Sequence, residues 1–188
     1  MNCNPFTKGH RYLIEESCKR VDWLIVFVVE EDIALFTFEE RYRLVKEGTK
    51  DLDNVIVVPS GELILSDNNF SEYFTKKEND VAVLNAEYDI NIFADYIAKP
   101  LHISYRFAGE EPNDKLTNIY NETMKKILPN KGIEFVEFPR ITINKEVVST
   151  STVRKYLEER EYEKAFALVP QSTMEYLERQ CFIYKDHG

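Results

Sequence analysis

The sequence predicts an α/β protein with a parallel sheet of five strands. Three observations carry that reading. Trp23–Val29 is an unbroken apolar run without alternation, the pattern of a strand covered on both faces. Strand-like and helix-like stretches alternate along the chain, with connections long enough for parallel crossovers. The chain also opens on Asn4-Pro5-Phe6-Thr7-Lys8-Gly9-His10, an extended start, a polar turn and then an amphipathic run.

The first strand has only Met1–Asn4 to occupy before Pro5. A helix follows over Gly9–Arg20, with Tyr12, Leu13 and Cys18 expected on its buried stripe. After Trp23–Val29, the pair Thr37 and Glu40 reads as a capping box, and Gly48 ends that helix. Asn54–Pro59 is the next strand. Phe70–Lys77 reads as a short aromatic-rich helix, and Val81–Leu84 is a candidate short strand not counted among the five. Ala86–Ala98 shows helical spacing through Ile90, Phe93, Ala94 and Ile97. Leu101–Phe107 is expected to be a strand holding a structural His102. Leu116–Leu128 is amphipathic and stops at Pro129 and Gly132, before a last strand over Ile133–Phe138. A helix is expected over Thr152–Arg160, and two more around Tyr162–Leu168 and Thr173–Gln180.

The chain has 188 residues, 44% hydrophobic and 13% aromatic, which fits one globular domain, 1–188. Asp and Glu total 33 against 24 Lys and Arg, a formal charge of −9. That balance argues against nucleic acid or an anionic membrane as partner. It leaves room for one small anion in a local basic or dipolar pocket. Cys3, Cys18 and Cys181 form neither a disulfide framework nor a zinc pattern, and no metal site is expected from the protein. No leader or membrane span is read, so the expected compartment is the cytoplasm.

Two stretches carry chemistry. The first is the opening turn. A helix N-terminus presents unpaired backbone N–H groups and the positive end of the helix dipole, which suits phosphate. Gly9 lets a phosphate approach the backbone, and Thr7 and His10 add side-chain donors. The second is Val148-Ser149-Thr150-Ser151-Thr152-Val153-Arg154, hydroxyl residues before a helix whose first turn holds an arginine.

Thr7-Lys8-Gly9-His10 resembles the T/H-x-G-H signature of the nucleotidyltransferase (HIGH) superfamily, and Val148–Arg154 resembles its I-S-S-T-x-x-R motif. Together with Phe36–Thr49 and Arg106–Met124, including Phe107-Ala108-Gly109-Glu110-Glu111-Pro112 and Tyr120-Asn121, the chain is similar to the C-terminal catalytic domain of citrate lyase ligases. The resemblance implies a Rossmann-like, doubly wound α/β domain that uses ATP and Mg2+. It implies attack of acetate on the α-phosphate, giving acetyl-adenylate and diphosphate. The acetyl group would then pass to the thiol prosthetic group of the citrate lyase acyl carrier subunit, releasing AMP. His10 and Thr7 are then the catalytic candidates. Asn4, Pro5, Phe6, Gly9, Gly109, Glu110, Ser149, Thr150, Ser151 and Arg154 are the ATP-binding candidates. Full-length members of the family carry an upstream acetyltransferase-like domain, and nothing in these 188 residues matches it. In phosphopantetheine adenylyltransferases the segment matching Glu30–Phe36 usually holds a lysine. Here it has no basic residue, which favours a small nucleophile, although Lys8 or Lys46 could substitute. Two other readings stay open: an adenylyltransferase forming a dinucleotide from phosphopantetheine or nicotinamide mononucleotide, and a nucleotide-binding module without turnover.

Overall fold

A computed structural model describes residues 1–30, 35–61, 79–111 and 114–185. The chain divides into two compact units, Met1–Pro59 with Ile141–Gly188, and Ser60–Arg140. Expectations for Phe70–Lys77, for Glu31–Ala34 and for His187 fall outside the described residues.

The first unit begins with α1 (Lys8–Cys18), β1 (Leu24–Val28), α2 (Phe38–Glu47) and β2 (Val55–Pro59). β1 and β2 pair in parallel, with Leu24 opposite Val55 and Val28 opposite Pro59. Met1–Asn4 forms no strand. Met1 lies against the carboxyl end of β1, where its ammonium donates to Phe27 O at 2.6 Å and its carbonyl accepts from Val29 N–H at 3.0 Å. On α1 the fully buried positions are Ile14 and Ser17, whereas Tyr12, Leu13 and Cys18 are only partly covered. The buried stripe therefore runs through Ile14 and Ser17 and not through the three expected positions. The expected box at α2 is present: Thr37 Oγ1 accepts from Glu40 N–H, and Glu40 accepts from Thr37 N–H at 2.8 Å. Gly48 closes α2 at φ −76°, so no left-handed turn requires it. A Cβ built there would lie 2.5 Å from Phe6 Cε1 and 2.8 Å from Ser172 Oγ. Close packing, not turn geometry, excludes a side chain at 48.

The second unit holds α3 (Asn79–Ile92), a π-helical turn over Phe93–Ala98, β3 (Tyr105–Gly109), α4 (Lys115–Ile127), a 3-10 turn over Leu128–Lys131, and β4 (Glu134–Phe138). β3 and β4 pair in parallel, Tyr105 opposite Glu134. Val81–Leu84 is helical, inside α3, and not a strand. Four apolar residues alone cannot tell strand from helix, and the longer period through Ala82, Ala86, Ile90 and Ala94, all buried, decides for the helix. β3 begins only at Tyr105. Residues 99–104 form the turn leaving the π-helix, and His102 is exposed there at φ 53°. Gly132 adopts φ 75° after the 3-10 turn, the left-handed stop expected from glycine.

The chain then returns to the first unit through β5 (Thr142–Ile143) and β6 (Glu146–Val147), followed by α5 (Thr150–Glu158), α6 (Tyr162–Ala167) and α7 (Gln171–Lys185). β5 and β6 are an antiparallel hairpin turned by Asn144 and Lys145, both at positive φ, the pairing a two-residue hairpin favours. The parallel strands number four among the described residues, in two pairs. The expected total of five loses Met1–Asn4, which is too short for a ladder.

Phe6, Leu44, Val45, Val28, Val153, Val169 and Thr173 are among the most deeply buried residues of the first unit. Each large apolar side chain buried there contributes about 2 kcal/mol relative to exposure. Among the described residues, no buried side-chain nitrogen or oxygen lacks a hydrogen-bond partner.

Candidate active site

The opening turn is held in a fixed form by its own residues. Thr7 is the N-cap of α1, and its Oγ1 accepts from His10 N–H at 3.4 Å. His10 completes a reciprocal box, because Thr7 N–H donates to His10 Nδ1 at 3.0 Å. Glutamate or glutamine is the usual third residue of such a box, so the histidine is a substitute with a second use. An amide N–H can only donate. Nδ1 is therefore the acceptor nitrogen, and the neutral ring carries its proton on Nε2. The ring stacks on Phe6 at 5.9 Å and 11°, and Phe6 is fully buried. Backbone and ring contacts together fix the direction of the Nε2–H.

Distant segments pin the same turn. Phe6 O accepts from the buried Thr173 Oγ1 at 2.9 Å. Lys8 N–H donates to Leu168 O at 2.9 Å, and Lys8 Nζ to Ala167 O at 2.7 Å. Lys8 thus caps the carboxyl end of α6, and its ammonium is engaged there. Lys46 lies over the Tyr42 ring at 5.4 Å.

The second motif closes on the first. Val148 is buried and Ser149 caps α5, accepting from Thr152 N–H at 3.1 Å. The Ser149 hydroxyl also lies 2.9 Å from Ser151 Oγ and 2.8 Å from Thr152 Oγ1. The helix starts at Thr150, two residues earlier than expected, so Thr150 and Ser151 belong to its first turn. Val153 is fully buried and anchors that turn. Arg154 Nη1 donates to Asn4 O at 2.7 Å, across 150 residues of sequence. A Cβ built on Gly9 would lie 3.5 Å from Val148 O. The first turns of α1 and α5 are therefore neighbours. Neither contains an acidic side chain, whereas α2 carries Glu39 and Glu40 in its first turn. Two neighbouring helix N-termini without acidic side chains, a ring N–H and a guanidinium form an arrangement suited to a multiply charged anion.

Asn4 takes part through its backbone and its side chain, since Asn4 Oδ1 accepts from Phe36 N–H at 3.2 Å. Pro5 and Phe6 are buried and Thr7 is 2% exposed. These three shape the turn from beneath. The Cys3 thiol, fully buried, is pushed up to about 11 by that burial and stays neutral.

Gly109 and Glu110 belong to the second unit. Gly109 ends β3, and its carbonyl accepts from Asn121 Nδ2 at 3.0 Å. Asn121 is buried and also donates to Glu137 Oε1 at 2.7 Å. Glu110 N–H donates to Phe138 O at 2.8 Å, and Glu110 O accepts from Arg140 Nε at 2.8 Å. Arg140 also pairs with Glu111, and burial lowers its guanidinium from the ordinary range.

Sequence reasoning missed Arg41, Thr173 and any role for Asn121. Each is a polar residue in a helix, and its partner lies far away in sequence. Among the described residues, no three His, Cys, Asp or Glu side chains gather as a cation site.

The family model for the citrate lyase ligase C-terminal domain matches residues 1–177. A [citrate [pro-3S]-lyase] ligase of Klebsiella pneumoniae is 38% identical over 181 residues, covering 94% of this chain and 53% of that protein. The corresponding ligase of Escherichia coli K12 is 37% identical over 183 residues, covering 95% and 52%. The chain thus spans about half the length of these curated relatives. Thermotoga maritima TmcAL, in a crystal structure with alpha-thio ATP, superposes with a TM-score of 0.50 at 16% identity, over 96% of this chain and 54% of that one. That likeness is one of fold alone and agrees with the expected Rossmann-like α/β class. Matched along nearly its whole length, both motifs included, the chain belongs to the citrate lyase ligase C-terminal domain family.

Proposed function

We propose that this chain activates acetate with ATP and passes the acetyl group to the thiol prosthetic group of the citrate lyase acyl carrier subunit. In the first step an acetate oxygen bonds to the α-phosphorus and the bond to the diphosphate breaks. In the second step the thiol sulfur bonds to the acetyl carbon, AMP leaves, and the thiol proton goes to solvent. The observation that carries the reading is the 2.7 Å contact from Arg154 to Asn4 O, which sets the two motifs side by side.

The protein's part is positioning and charge stabilisation. His10 Nε2–H donates to a non-bridging α-phosphate oxygen as charge builds there. Thr7 orients that ring through its N–H and assists through its hydroxyl. The N–H groups of Gly9, Thr150 and Ser151, with the Ser149, Thr150 and Ser151 hydroxyls and Arg154, hold the triphosphate. Asn4, Pro5 and Phe6 support it from the turn. The assignment of the adenosine to Gly109 and Glu110 rests on the family resemblance. Magnesium enters as the counter-ion of the triphosphate, since it keeps most of its waters and binds through substrate phosphates. The family match spans residues 1–177 and so reaches both compact units, which supports reading 1–188 as one nucleotidyltransferase-like catalytic domain; the cytoplasm as its compartment rests on the sequence reading alone.

The test is release of diphosphate from ATP by the chain with acetate, phosphopantetheine or nicotinamide mononucleotide, followed by acetyl transfer to the carrier subunit. Acetate-dependent release supports the ligase. Release only with either phosphate-bearing acceptor makes the chain a dinucleotide-forming adenylyltransferase. ATP binding without release for any acceptor makes it a binding module.

A further inference from the structure

Arg41 is completely buried, although it sits in the middle of a helix rich in charged residues. Burying a guanidinium is costly unless its N–H groups are satisfied. Here Nε donates to Phe36 O at 3.1 Å, and Nη1 lies 2.7 Å from Asn2 O, 3.0 Å from Asn2 Oδ1 and 2.9 Å from Val29 O. These oxygens belong to the chain start, the end of β1 and the entry to α2. Asn4, two residues on, is held from two sides: Phe36 N–H reaches its Oδ1 at 3.2 Å, and Arg154 reaches its carbonyl at 2.7 Å. Phe36 is the link, since its N–H goes to Asn4 and its carbonyl to Arg41.

We infer that Arg41 is a positioning residue for the site: it fixes the Asn2–Asn4 segment against which Arg154 rests, and so sets the guanidinium of Arg154 beside the opening turn. The inference rests on the proposed nucleotide-activating reading of that site. Arg41 touches no reacting atom in this account. It acts through the backbone it holds. Lysine cannot replace it, because a compact ammonium on a flexible stem lacks the planar fork that reaches several carbonyls together.

Cys3 lies inside the fixed segment and is fully buried, so its alkylation reports the position of that segment without reference to turnover. The experiment uses the full chain carrying Arg41→Lys. It measures thermal unfolding, acetate-dependent diphosphate release below the unfolding midpoint, and iodoacetamide labelling of the Cys3 peptide, with the Cys18 peptide as internal reference. A positioning role predicts a folded variant whose kcat falls by about 10- to 100-fold, as displacements near 1 Å do, with a smaller change in KM for ATP. Cys3 labelling rises and Cys18 labelling does not. A folded variant with unchanged kcat, or with Cys3 as protected as in the parent, overturns the inference. Should Arg41→Lys not fold, Asn2→Ala decides, because it removes one contact and leaves the arginine in place. A lower kcat with faster Cys3 labelling supports the role, and no change in either overturns it. If the parent chain releases no diphosphate with any acid, the functional reading fails, and Cys3 labelling alone decides the role of Arg41.

Discussion

Gly9→Ala separates what the fold requires from what a ligand requires. Gly9 is the second residue of α1, and its φ is not in the left-handed region. A methyl group there would meet Thr7 Oγ1 and Val148 O at 3.5 Å and Val148 Cγ1 at 3.6 Å, all ordinary van der Waals distances. Packing therefore accepts an alanine. Removing a helical glycine stabilises by about 0.5–1 kcal/mol, and in a chain of this size each kcal/mol moves the melting point by about 2–4 °C. The expected outcome is an unfolding midpoint unchanged or higher by up to about 4 °C. If phosphate lies against this N–H, the same methyl holds it roughly 1 Å out, and misplacement on that scale costs about 100-fold. The assays are thermal unfolding and ATP titration by calorimetry, with diphosphate release as the kinetic readout. A Gly9→Ala chain that is as stable as the parent and binds ATP equally well refutes the placement of phosphate at the first turn of α1.

The remaining predictions probe the frame around that turn. Gly48→Ala drives a Cβ to 2.5 Å from Phe6, so it should cost about 1–3 kcal/mol by overpacking and lower activity by shifting the ring stacked on His10. An unmoved melting point would show that Phe6 can yield. Asn121→Leu strips the donor from Gly109 O and Glu137, with an expected loss of about 1–3 kcal/mol measured by urea unfolding. The Asp51 carboxyl, hydrogen-bonded by Arg11, is lowered from 3.8 to about 2. The folded state therefore gains from its ionised form above pH 3.8, and that gain fades as pH falls toward 2. Asp51 is exposed, so Asp51→Asn should cost less than ~1 kcal/mol at pH 6, with the melting-point difference shrinking as pH falls through 2.

Local rules were enough to mark the two stretches that the structure brings together. A hydroxyl cap before a glycine and a histidine, and a hydroxyl run before an arginine, are readable because a helix N-terminus states its needs within four residues. The order of β1, α2 and β2 followed from an apolar run, a capping box and helical spacing. The closing contacts were not readable. Arg41 sits among Glu39, Glu40 and Arg43 and has the look of a solvated residue. Only the approach of the chain start and of Val29 makes it a buried one. Thr173 meets Phe6 O across 167 residues, and nothing in its neighbours announces that partner. Gly48 was expected to stop a helix, and its reason turned out to be a ring from the opening turn. Val81–Leu84 misled because its apolar run is shorter than the helix containing it.

The most direct measurement is diphosphate release from ATP and acetate by His10→Glu beside the parent chain. Glutamate is the residue a capping box ordinarily uses at this position, and its charge suits a helix N-terminus. The account predicts an unfolding midpoint equal to the parent's or higher, with release reduced by at least about 10²–10³-fold, because the donor is gone and a carboxylate faces the phosphate. A His10→Glu chain as active as the parent would contradict it.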